Sequence, residues 1–157
     1  MSSLNKDKIT KIIWSSIFIL LVAVLGSVFV NLGMDWFNSL QKPSQWIPNI
    51  VIPIVWTIIY TTFGIINFLW IKKSEIPKNV VVLMLVNGVL NMLWCLVFFT
   101  LKLTFIGNIV IILNLIAGIV LWLNIFKTEK LYAYILSIYP LWLSIATTLN
   151  LALWILN

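Results

Sequence analysis

Two groups of side chains have the types and spacings that could do chemistry. Asn87, Asn91, Trp94 and Phe98 follow one another at steps of four, three and four residues, which places two amides and two aromatic rings on one face of a helix. Tyr139, Trp142, Ala146, Leu149 and Asn150 share a second face by steps of three and four. Amides both donate and accept hydrogen bonds, and indoles offer broad flat surfaces. The amides suit hydrogen bonds between helices, contact with a ligand in a cavity, or both. Small Ala146 leaves a gap among large neighbours, which suits a second helix or a flat apolar ligand stacked on Trp142.

What surrounds these groups excludes other chemistry. Every Lys, Asp and Glu lies at or outside the ends of the long apolar runs, so no intramembrane charge is available for a proton relay or for ion-coupled transport. The same gap removes paired carboxylates and any base that could activate a Ser or Cys. There is no His, which rules out imidazole metal sites and an axial His on haem. The single Cys95 has no disulfide partner and is read as a packing residue.

The elements that must carry these faces are membrane helices. A helix needs about 20 apolar residues to cross a hydrocarbon core about 30 Å thick. Uncharged runs at 12–34, 43–71, 79–101, 103–126 and 131–157 each reach that length. With 62% hydrophobic residues, 9% charged residues and a mean hydropathy of +1.12, the apolar side chains exceed what a soluble fold of this size can hide. The expected fold is therefore all-α and integral to the membrane. It is a single domain over 1–157, with five spans near 12–32, 50–71, 79–101, 104–126 and 131–155. The first run is too long for a signal-peptide core and is read as a retained span.

A net charge of +6 is compatible with nucleic-acid binding, but all ten basic residues are Lys and none forms a cluster larger than Lys72-Lys73, so no nucleic-acid partner is expected. Topology accounts for the charge. If the spans alternate, eight lysines share one side with the N-terminus, and only Lys42 and Lys102 lie on the other. The positive-inside rule then predicts a cytoplasmic N-terminus.

Punctuation along the chain adds detail. Gly33 predicts a stop to the first span, and Gly26 and Ser27 within it are small enough to admit a neighbouring helix. The aromatic connection 35–49 should lie at the outer interface, with Trp36 as an anchor or as part of a lid. Pro53 fits the first turn of the second span, whereas Pro140 predicts a kink in the fifth. Spans three and four should form an antiparallel hairpin. No internal repeat is visible.

Several segments together resemble the TspO/MBR family, the tryptophan-rich sensory proteins related to the mitochondrial translocator protein. They are Trp36-Phe37-Asn38-Ser39-Leu40-Gln41-Lys42-Pro43-Ser44, Val55-Trp56-Thr57-Ile58-Ile59-Tyr60, Leu90-Asn91 with Trp94 and Phe98-Phe99, and Trp142 with Ala146-Thr147-Thr148-Leu149-Asn150 and Trp154. The resemblance covers nearly the whole chain. It implies a five-helix bundle, often dimeric, in a bacterial plasma membrane, with a pocket beneath the first loop that binds tetrapyrroles such as protoporphyrin or haem, or isoquinoline- and benzodiazepine-like compounds.

Carried over by position, the pocket would use Asn87, Asn91, Trp94, Trp142, Ala146 and Leu149, with Pro43 and an aromatic lid from the loop. This chain has Gln45 where the lid aromatic is expected and Trp46 immediately after it, so the indole is displaced by one residue. Pro140 likewise stands two residues before Trp142 rather than four. The implied function is a receptor or sensor that requires no cofactor. A light-dependent porphyrin-degrading enzyme and a tetrapyrrole transporter are the alternatives.

Overall fold

The computed structural model describes residues 6–44 and 46–157; Gln45, at the expected lid position, lies outside them. The described residues form helices and connecting turns, without strands. Five helical segments are long and apolar enough to cross a membrane: Lys6–Leu32, Val51–Lys73, Lys78–Thr100, Thr104–Thr128 and Lys130–Leu156. The sequence places all five correctly. The first begins well before residue 12, because its opening lysines sit on a helical turn beyond the apolar stretch.

Span one is α1 (Lys6–Leu32), followed by a short interfacial α2 (Met34–Ser39). Gly33 separates them, as its type predicts, but its backbone is not left-handed (φ −107°). What it supplies is proximity, since a Cβ at this position would fall on the backbone carbonyl of Phe99. Gly26 is buried where α1 approaches Cys95. Ser27 is exposed and returns its hydroxyl to the carbonyl of Ala23, so of the two small residues only Gly26 admits a neighbour.

Span two is α3 (Val51–Lys73). Pro53 lies in its first turn, where a missing N–H costs little. Span three is α4 (Lys78–Cys95), which continues without interruption into a π-helical turn, Leu96–Thr100. Here the Leu101 N–H donates to Leu96 O at 2.9 Å, one residue further back than in an α-helix. The widened turn buries three successive side chains, Val97, Phe98 and Phe99, where a regular helical stripe would not. Lys102 then turns the chain in the left-handed region, φ 59°, and α5 (Thr104–Thr128) runs back as span four.

Span five is broken in two, α6 (Lys130–Leu136) and α7 (Ile138–Leu156), with Ser137 between them. Pro140 explains the position of the break, three residues upstream. Its ring excludes the carbonyl of Leu136 and it has no N–H to give, so the ladder resumes only when the Leu141 N–H reaches Ser137 O at 3.3 Å. Trp122 of α5 compensates the exposed carbonyls. Its indole N–H lies 2.8 Å from Ala133 O and 3.1 Å from the Ser137 hydroxyl.

The helices close into a ring. The α1 backbone packs against α3 and α4, α4 against α5, α5 against α6 and α7, and the fifth span against α3. Among the described residues, the backbones of α3 and α4 do not pack together although they are neighbours in sequence. They face each other across the interior, which two apolar clusters fill. One, around Phe37, Trp94, Phe98, Phe99 and Ala146, lies under the 40–50 loop; the other includes Trp70, Leu121, Tyr139, Trp142 and Leu143.

Ion pairs fix which ends lie together. Lys11 meets Glu75 at 2.7 Å, Lys73 meets Glu129 at 2.6 Å, and the Lys8 ammonium donates to Lys72 O at 3.0 Å. The start of α1, the turn after α3 and the turn after α5 therefore share one end of the bundle, the lysine-rich one. At the other end Asn157 grips the loop, accepting from the Gln41 N–H at 2.9 Å and donating to its carbonyl at 3.1 Å.

Candidate functional site

The polar face on α4 points into the ring. Asn87 and Asn91 are both buried. The Asn87 amide donates to Leu83 O at 2.8 Å, and its oxygen accepts from the Tyr139 hydroxyl at 3.0 Å, linking span three to span five. The same hydroxyl lies 3.4 Å from Asn114 Oδ1, so a single proton is shared between two acceptors. Asn91 has a weaker partner, the Cys95 thiol at 3.8 Å. Both amides also line a cavity of about 50 Å³ with Tyr60, Phe63, Asn67 and Tyr139. That volume holds a few waters. Asn87 thus both bonds between helices and lines the cavity, whereas Asn91 lines the cavity and is bonded within its own helix.

The aromatic residues sit nearer the 40–50 loop and fill their space. Trp94 is stacked on Phe98 (centroids 6.2 Å apart), edge-on to Phe99 (5.7 Å) and tilted against Trp56 (6.3 Å). Ala146 belongs to the same cluster as Trp94, whereas Trp142, one turn earlier on α7, belongs to the other. Trp56 packs against both clusters and joins them. The indole nitrogens of Trp94 and Trp142 are buried without a hydrogen-bond partner among the described residues. A buried N–H without an acceptor costs about 1–3 kcal/mol, so these two, one in each cluster, call for an explanation.

The loop supplies a cap. Trp46 donates its backbone N–H to Pro43 O at 3.0 Å and its indole N–H to Asn49 Oδ1 at 3.0 Å. Its ring stands 5.9 Å from Phe37, which lies 5.2 Å from Phe99. The Lys42 ammonium sits 4.9 Å above the Phe37 ring and bonds to the Phe37 carbonyl at 3.3 Å. Trp36 is half-buried, edge-on to Phe98 at 5.7 Å, so it contributes to the cap as well as to the interface.

Of the residues singled out by spacing or by the family resemblance, Trp46, Trp94 and Ala146 meet in one cluster, while Asn87 and Asn91 meet at the small cavity. Trp142 faces the second cluster, Pro43 holds the turn, and Leu149 is only half-buried and belongs to neither cluster. Among the described residues, the side chains of each cluster pack against one another. Sequence spacing missed Asn108, Asn114 and Asn67, all buried. Asn108 accepts from the Asn150 amide at 3.1 Å, tying α5 to α7. The available signal was an amide inside an apolar run, but Asn108 and Asn114 stand six residues apart and form no helical stripe.

These features define a multi-pass membrane protein of five helices with a tryptophan-rich interior capped by its first interhelical loop. The sequence profile of the TspO/MBR family matches residues 11–155, and the chain belongs to that family. It is 28% identical over 151 residues to the tryptophan-rich protein TspO of Archaeoglobus fulgidus, covering 95% of this chain and 98% of that protein. It is 34% identical over 140 residues to the human translocator protein, covering 83% and 80%, and 31% identical over 144 residues to TspO of Chlorobaculum tepidum, covering 88% and 90%.

Proposed function

We propose that this protein is a membrane receptor or sensor for a flat aromatic ligand of the porphyrin type, held in the aromatic layer beneath the first loop. The observation that supports this reading is the pair of partnerless indole N–H groups on Trp94 and Trp142, on either side of Trp56. A ligand with carbonyl or carboxylate acceptors at its rim satisfies both while its ring system stacks on the indoles. Space for it requires the loop carrying Pro43 and Trp46 to lift and the Trp94–Phe98 stack to part. Trp46, only partly buried at the edge of the cluster, is the natural first mover. In this reading the eight-lysine end, with the N-terminus, faces the cytoplasm, and the ligand site lies nearer the opposite surface.

Titration with protoporphyrin, followed by quenching of tryptophan fluorescence, tests the assignment. Trp142→Ala and Ala146→Phe should each weaken binding by about tenfold, the first by removing a stacking surface and a donor, the second by filling the layer. Unchanged titration curves in both variants overturn the proposed site.

A second reading, light-dependent oxidation of bound porphyrin by dioxygen, draws on one further observation. Trp46, Phe37, Phe99, Trp94, Trp56 and Tyr60 form a continuous series of ring contacts, with successive centroids 5.2–6.3 Å apart. The oxidisable members, Trp46, Trp94, Trp56 and Tyr60, can pass charge away from an excited ligand, the two phenyl rings serving only as packing between them. Loss of the Soret band under illumination, faster with protein than with porphyrin alone, is the expected signature; equal decay counts against it.

A further inference from the structure

At the lysine-rich end, remote from the loop-capped layer, α1, α3 and α4 leave a second cavity of about 390 Å³ between them. This lies within the ~300–1,000 Å³ of small-molecule sites. Its walls are mainly apolar and include the rings of Trp14 and Phe18 from α1 and the flexible Met84 from α4. The Lys11–Glu75 ion pair stands at its rim. Asn67 of α3 lines both this cavity and the small one at Asn87, as do Phe18 and Met84, so the two spaces meet there. Asn67 is only 6% exposed, and its amide oxygen is buried without a hydrogen-bond partner among the described residues.

The chemistry of this arrangement is specific. Two aromatic walls and a thioether favour a compact ring system. A single buried acceptor at the inner end demands one donor and leaves a purely apolar occupant with an uncompensated carbonyl. At the rim Lys11 is already shared between Glu75 and Asp7, at 2.7 and 2.9 Å, so an anionic headgroup gains little there. We infer that this inner vestibule is a second ligand site, which takes a compact aromatic compound carrying one hydroxyl or N–H group that donates to Asn67 Oδ1. It is separate from the loop-capped layer and needs no movement of Trp46.

The probe is 6-fluoro-2-naphthol, followed by fluorine NMR with the full-length protein in lipid nanodiscs, against protein-free nanodiscs and the methyl ether of the same ring. Saturable broadening by the naphthol, displaced by unlabelled 2-naphthol, is expected. The methyl ether should bind about tenfold more weakly, since it has no donor. Asn67→Leu should weaken the naphthol by a similar factor while leaving the ether unchanged, and Met84→Trp, which fills the vestibule, should weaken both. Ala146→Phe, in the loop-capped layer, should change neither, so failure at one site is distinguishable from failure at the other. Circular dichroism and thermal unfolding establish that each variant is folded. The inference is overturned by equal binding of naphthol and ether, by full naphthol binding in Asn67→Leu, or by binding no greater than to protein-free nanodiscs.

Discussion

Tyr139 shows how much of the interior depends on single polar atoms. Its hydroxyl is the bridge between Asn87 on span three and Asn114 on span four, in surroundings that offer no water-filled bulk. Tyr139→Phe should lower the unfolding free energy by about 1 kcal/mol, measured by thermal or denaturant unfolding in detergent. A loss near zero would mean that Asn87 and Asn114 find each other once the hydroxyl is gone. Gly33 acts through space rather than charge. Gly33→Ala pushes a methyl group into the Phe99 carbonyl, and should destabilise by about 2 kcal/mol because neither backbone segment is free to yield. The inward direction of Asn87 and Asn91 was readable from their four-residue step. Their partners were not, because a hydrogen bond between helices depends on which spans are neighbours and at what height, and periodicity within one helix carries neither.

At the scale of elements, the number of spans, their order and the breaking effect of Pro140 were all legible, since length, hydropathy and a missing N–H are local properties. The π-helical turn at Leu96–Thr100 was not. Nothing in its composition marks it, and it exists because Phe98 and Phe99 both gain burial from a wider turn that the α1–α2 junction packs against. Lys102, which follows it, holds a left-handed conformation that costs an ordinary residue about 1–2 kcal/mol. Lys102→Gly should therefore stabilise the protein by up to about 1 kcal/mol, part of the gain being offset by the greater freedom of glycine in the unfolded chain. Pro140→Ala restores a donor to span five. The expected result is slower hydrogen exchange at the amides of residues 138, 139 and 141, as α6 and α7 join into one helix, with a weaker hold by Trp122 on Ser137.

The whole molecule is defined by the ring, in which α3 and α4 are kept apart by α1 on one side and by the fourth and fifth spans on the other. Cysteines at Phe18 and Gly88, in a Cys95→Ala background, should cross-link with a short bifunctional thiol reagent, since a Cβ at Gly88 lies 2.6 Å from the far edge of the Phe18 ring. Pairs placed midway along the facing backbones of α3 and α4 should not. Ring order is a property of the assembled bundle, so sequence could predict that polar faces turn inward without predicting where the space between them falls. That is why the residues with matched spacing proved to be split between a packed aromatic layer and a small cavity.

The ring also has a history in time. As the chain emerges, α1 can pair first with α3, then accept α4 on its other flank, and α5 can join α4; each arrival finds its partner already in the bilayer. What these four spans make is a horseshoe, open between α3 and α5. Only the last span fits that opening, and it alone carries Tyr139, Trp142 and Ala146 into place, so the interior comes into being in a single final step, with span five as its keystone.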